Sequence, residues 1–197
     1  MVSIRPAFAF CCLALPVLAV GQAHHSREHD HVHQPGVHQH GVGALNMALD
    51  GSTLEIELSG PADNFLGFEY QPSSDAEREQ AQRVLDNLRQ PGGLFILPAE
   101  ARCVPEAVDV ESALLKDVDS DAAEHGHDGH EHAESADSHQ DITAHYRFSC
   151  ENADAIEQIE LAVFKVFPNT ERLLLQSIGT RGQLGGEVTA SQPVVKL

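Results

Sequence analysis

Residues 124–139 carry five histidines and five acidic side chains, with no large apolar residue. Within them His125 and His127, and then His130 and His132, are each one residue apart, and His139 closes the stretch. A second tract holds His24, His25, His29, His31, His33, His38 and His40. Twelve of the 13 histidines therefore lie in two short segments, and the exception is His145. In an extended chain, residues i and i+2 point to one side, about 6.6 Å apart. A small bend then lets both imidazoles reach one ion at about 2.0–2.1 Å. Gly126 and Gly129 permit such bends. Two such pairs, or one pair with a carboxylate and water, complete a tetrahedral shell. The chemistry expected of these tracts is capture of a divalent metal.

Which metal is less sharply written. Imidazole with carboxylate suits Zn2+, Cu2+ and Ni2+, and affinity alone favours copper. Met47 is the only methionine beyond Met1, and it falls in a strand pattern, which speaks against a thioether copper(I) site. Segments of this composition bury too little apolar surface to offset their ordering entropy, so they are expected to be disordered alone. An ion must order them, which predicts several modest, exchangeable sites rather than one closed structural site. The lone His145 reads as an ordinary strand histidine.

Charge narrows the partners. The formal net charge is −18, and residues 109–141 hold eleven acids and one lysine. Nucleic-acid binding needs the opposite sign and is excluded; attraction of cations is favoured. Residues 1–23 read as a cleaved secretory leader, with Arg5, an apolar run too short to span a membrane, and Gly21-Gln22-Ala23 at the cleavage point. No membrane insertion is expected after cleavage. Cys11 and Cys12 would leave with the leader, and Cys103 and Cys150 remain. In an oxidising compartment an even pair reads as a disulfide, here pinning both roots of the acidic loop. The alternative is two free thiols that add to a metal site.

The elements that must carry these groups follow from periodicity. Leu45, Met47 and Leu49 alternate with polar residues, Asp50-Gly51 signals a hairpin, and Leu54, Ile56 and Leu58 alternate in turn. Residues 64–70 read as a turn packed on the core. Ser74-Asp75-Ala76-Glu77 is a capping box, and Ala81, Val84, Leu85 and Leu88 follow at helical spacing, predicting an amphipathic helix over about 74–90. Further strands are expected at 94–97, 102–115, 142–150, 159–167, 172–178 and, more weakly, 182–190, with Gly185-Gly186 as a bulge or turn and Val194-Val195 at an edge. The expected fold is α+β and β-rich: a mainly antiparallel sheet with one long amphipathic helix, a flexible histidine-rich segment at 24–40, and a disordered metal-binding loop at about 116–140 within a single domain of 41–197.

Taken together these pieces resemble the ZrgA-type periplasmic zinc-uptake family of Gram-negative bacteria. The resemblance is carried by His38-Gln39-His40-Gly41-Val42-Gly43-Ala44-Leu45-Asn46, by residues 59–69 (Ser-Gly-Pro-Ala-Asp-Asn-Phe-Leu-Gly-Phe-Glu), by the Cys103 strand with a His/Asp/Glu-rich insertion after it, by residues 139–150, and by Val163-Phe164-Lys165-Val166-Phe167-Pro168 with Gly182-Gln183. It implies a zinc-binding periplasmic accessory that supports a high-affinity zinc ABC importer, with the importer's solute-binding component as a partner. His38, His40 and His139 fall on its motif positions; residues 125–132 lie in the insertion. The residues themselves leave a periplasmic nickel or copper sink as the alternative. Neither reading is an enzyme: no His-Glu-x-x-His helix, nucleophile elbow or Cys/His pairing is present.

Overall fold

The computed structural model describes residues 39–116, 141–180 and 182–197. Two sheets are built from nine strands among these residues. The larger sheet contains β1 (Val42–Asp50), β2 (Thr53–Pro61), β4 (Cys103–Glu111), β5 (Asp141–Cys150), β7 (Arg172–Gly179) and β8 (Gly182–Thr189), in the order β4-β5-β2-β1-β7-β8. The smaller joins β3 (Phe95–Ile96), β6 (Gln158–Leu161) and β9 (Val194–Lys196), in the order β3-β6-β9. Among the described residues, helices include α1 (Ala62–Leu66), α2 (Asp75–Leu88) and α3 (Val163–Val166).

The Asp50-Gly51 turn folds β1 onto β2 in strict antiparallel register, from Asp50 opposite Thr53 to Ala44 opposite Ser59. Alternation then sends Leu45 and Met47 inward beside Leu54, Ile56 and Leu58, and β5 adds Ile142, Ala144, Tyr146 and Phe148 on the same face. Phe95 of β3 meets Tyr146 edge-on at 5.2 Å, so the small sheet lies on this inner face. Burial of Tyr146 pushes its phenol above its ordinary range. Ala81, Val84, Leu85 and Leu88 of α2 enter the same core. Its start is fixed as the sequence signature requires: the Ser74 side chain accepts from the Glu77 amide at 3.2 Å, and the Ser74 amide donates back to Glu77 at 2.8 Å.

The sheets are mainly antiparallel, as expected. One pairing is not: β1 pairs with β7 in parallel, Val42 opposite Arg172 through Ala48 opposite Ile178, and no hairpin signal can report a pairing between segments so distant in sequence. Three expectations are corrected. The apolar run 159–167 is not one strand. It leaves β6 at Leu161 and turns into α3, which drives Val163, Phe164 and Phe167 into the core. A short, mostly apolar run fits either structure, and the surface it meets decides. Residues 64–70 begin as helix α1, ended by Gly67 in the left-handed conformation at φ 78°. Gly185 and Gly186 form neither bulge nor turn, but stand in register opposite Gln176 and Leu175.

Cys103 and Cys150 are joined, directly opposite each other on β4 and β5. Their position also corrects an expectation. The acidic segment leaves β4 after Glu111 and re-enters at Asp141, the other end of this strand pair. The ladder ending at Glu111 opposite Thr143 holds those roots, whereas the disulfide fastens the start of β4, an edge strand with most of its side chains exposed. Among the described residues no helix is long and apolar enough to cross a membrane.

Three outcomes follow. The Cys103→Ser, Cys150→Ser pair should lower stability by about 4 kcal/mol on the chain-entropy model, for a separation of 47 residues. Hydrogen exchange should rise first in β4. Ser74→Ala should cost about 1 kcal/mol in urea unfolding. Amide donors of Ser74 and Ser73, with the Tyr70 hydroxyl, hold the Glu77 carboxyl at about 2, below its ordinary 4.5. Its stabilisation is thus present above about pH 4.5 and fades as pH falls toward 2, which a carboxyl NMR titration of Glu77 would read.

Candidate functional site

Of the histidines named as ligands, His40 falls within the described residues. His24, His25, His29, His31, His33 and His38 lie outside them, as do His125, His127, His130, His132 and His139. The surroundings of His40 can therefore be built from the residues upward.

His40 stands one turn before β1, where the Val42 amide donates to the Gln39 carbonyl at 3.0 Å. Gly41 follows at φ 80°, and a Cβ there would lie 3.0 Å from the Glu171 side chain. Only glycine takes this path without strain. Asn64 of α1 locks the path from below. Its side-chain oxygen accepts from the Gly41 amide at 2.7 Å and its Nδ2 donates to the Val42 carbonyl at 3.0 Å. The Gly41 carbonyl in turn accepts from the Glu171 and Arg172 amides at 2.8 and 3.0 Å. Asn64 is 1% exposed, so its amide can meet its hydrogen-bonding needs only through such partners.

With the backbone so held, the His40 ring lies between two carboxylates. Nε2 is 3.2 Å from Glu69 Oε1, and Nδ1 is 3.7 Å from Asp63 Oδ2. Asp63 precedes Asn64 on α1, and its carbonyl accepts from the Gly67 amide at 2.9 Å and the Asn169 side chain at 3.1 Å. Glu69 sits between Phe68 and Tyr70, whose rings stack at 5.0 Å, and the Tyr70 hydroxyl donates to Glu77 at 2.9 Å at the start of α2. Both carboxylates are thus carried by segments tied to the core.

Two donors on one tetrahedral zinc ion lie about 3.3 Å apart when each bond is about 2.0–2.1 Å. The Nε2–Glu69 separation of 3.2 Å matches that edge. Asp63 faces the other ring nitrogen, the place of the carboxylate that orients a metal-bound imidazole. The arrangement offers one donor pair and one orienting group, not a finished shell. Among the described residues no three His, Cys, Asp or Glu side chains are gathered around one point. The ring is 63% exposed, which leaves room for further ligands.

Periodicity and histidine spacing did not mark Asp63, Asn64 or Glu69. The signal lay in the stretch 59–69, where a short polar group interrupts an apolar segment, but only folding shows that it faces His40.

The model of the ZrgA family zinc uptake proteins matches residues 37–197, and the chain belongs to that family. The match takes in His38, His40 and the whole 125–139 stretch, and begins after His33. No curated protein matches the chain.

Asn64→Ala should cost about 3 kcal/mol in urea unfolding, since it strands the Gly41 amide and Val42 carbonyl. Asn64→Asp, which keeps an acceptor for Gly41 and loses the donor to Val42, should fall between it and the parent.

Proposed function

We propose that this member of a zinc-uptake family is a periplasmic zinc-binding accessory, which captures or buffers zinc and supplies a high-affinity ABC importer. Zinc is cargo in this reading, and the protein binds rather than catalyses. The observation that carries it is His40, held between Glu69 and Asp63 at the rim of a domain whose sequence matches a zinc-uptake family. His40 and Glu69 supply two donors at the spacing of a tetrahedral edge, and Asp63 orients the ring. His38, one residue away in the i, i+2 pattern, is the nearest further histidine in the chain. The tracts at 24–38 and 125–139 supply additional exchangeable donors. Their acidic surroundings concentrate cations near the protein before any ion is bound. A solute-binding component of the importer is the acceptor, and transfer to it requires donors that can be released, as a half-built exposed site provides.

Competitive titration of the full chain against a zinc-chelating dye tests this. His40→Ala and Glu69→Gln should each remove one class of zinc site, and Asp63→Asn should weaken it about tenfold. Affinity should fall as pH drops through about 6, because imidazole must lose its proton to bind metal. If His40→Ala leaves zinc affinity and stoichiometry as in the parent, the site reading is wrong. A chain that prefers nickel or copper and is induced by metal excess would instead fit a metal sink.

A further inference from the structure

The outer face of the large sheet is not covered by any described element. It forms a hollow of about 500 Å³, and the groups lining it include Asn46, Glu57, Asp109, His145, Arg147 and Gln176. We infer that this hollow holds a second divalent-cation site, made by His145 with Glu57 and Asp109. The inference rests on the reading that the protein handles divalent metal, but it uses none of the residues of the His40 site.

Register is the first support. Asp109 on β4, His145 on β5, Glu57 on β2 and Asn46 on β1 stand directly opposite one another, in a single row across four strands. Directly opposed side chains on one face have β-carbons about 4.5–5.5 Å apart. His145 is thus flanked by a carboxylate on each side. Ile142, Ala144 and Tyr146 point into the core, so His145 points out.

Orientation is the second. Asn46 Nδ2 donates to Glu57 Oε1 at 2.8 Å, which leaves Oε2 facing the imidazole, 3.6 Å from His145 Nδ1. That is close to the tetrahedral edge of about 3.3 Å, and a carboxylate fixed by a neighbouring amide is how proteins aim a metal ligand. The nearest cation along β5, Arg147, is committed to Glu55 at 2.7 Å.

The third is a break in alternation. A β-bulge between Pro105 and Ala107 shifts β4 by one residue against β5. Beyond it Val108 and Val110 pack on the core while Asp109 takes the His145 face. Without the extra residue the pattern would invert, placing Asp109 inward.

Two carboxylates flank one imidazole in this row, and a divalent ion is the charge they would attract. The three side chains do not yet meet at a point; binding draws Asp109 toward His145, with water completing the shell. His145 and Glu57 are 44% and 38% exposed, which makes the site open and exchangeable.

The test is a long-range 1H–15N spectrum of the full chain labelled in its imidazoles, with His145 assigned from His145→Gln, a half-exposed position outside the core. On stepwise addition of Zn2+ at neutral pH, the His145 ring nitrogens should move to the metal-bound range. Glu57→Gln or Asp109→Asn should raise the zinc concentration needed by tenfold or more, while His40→Ala should leave it unchanged. If other imidazoles respond and His145 does not, the second site is wrong and the His40 reading stands. If His145 responds equally in both carboxylate variants, zinc sits on a lone histidine and the proposed site is overturned. If no imidazole responds, both readings fall. Should His145→Gln fail to fold, the Glu57→Gln and Asp109→Asn spectra carry the comparison, with His145 assigned through its bonded backbone.

Discussion

A single buried amide organises the end of the large sheet at which His40 stands. Asn64 accepts from Gly41, donates to Val42, and through its own carbonyl accepts from the Thr170 hydroxyl at 3.5 Å. It thereby joins the entry to β1, helix α1 and the approach to β7. These are the segments that set the parallel β1–β7 pairing and the place of His40. Buried backbone groups must find partners or cost folding energy. Here one side chain satisfies two of them and fixes a turn that glycine alone can follow.

The large sheet separates two kinds of work. Its inner face meets α2, α3 and the small sheet, and holds the apolar core. Its outer face mixes polar groups with exposed Leu174 and Ile178 and lacks a described covering element. The bulge in edge strand β4 sets which of its residues face inward and which outward, and its exposed start is fastened by the disulfide. The covalent bond therefore protects an edge, while main-chain hydrogen bonds hold the roots of the acidic insertion. An edge strand with few buried side chains gains most from such a fastening, because little apolar surface restrains it otherwise.

The two proposed metal sites are open arrangements rather than cages. At His40 two carboxylates approach opposite ring nitrogens, and on the sheet face two carboxylates flank one ring. Both arrangements are partial and wet. Partial shells bind and release, which suits the proposed role of passing zinc onward.

Much of this was readable without coordinates. Alternation marked β1, β2 and β5, because a sheet with one buried face writes a period of two into its residues. The capping box marked the start of α2, because its partners are only three residues apart. The spacing of the histidines pointed to divalent metal, since that chemistry is local. What depended on distant segments was not written there. The run 159–167 is apolar but for Glu160 and Lys165, so whether it continued as a strand or turned into α3 was decided by the surface awaiting Phe164 and Phe167. The parallel β1–β7 pairing, and the bulge that turns Asp109 toward His145, depend on register between strands far apart in the chain. Asp63 and Glu69 become neighbours of His40 only after Asn64 has tied Gly41 and Val42 to α1. The sequence alone determined the local periods, the cap and the hairpin, because each is a matter of nearest neighbours. Tertiary structure alone decided which carboxylates face which imidazole, because that follows from packing between segments whose separation no local pattern records.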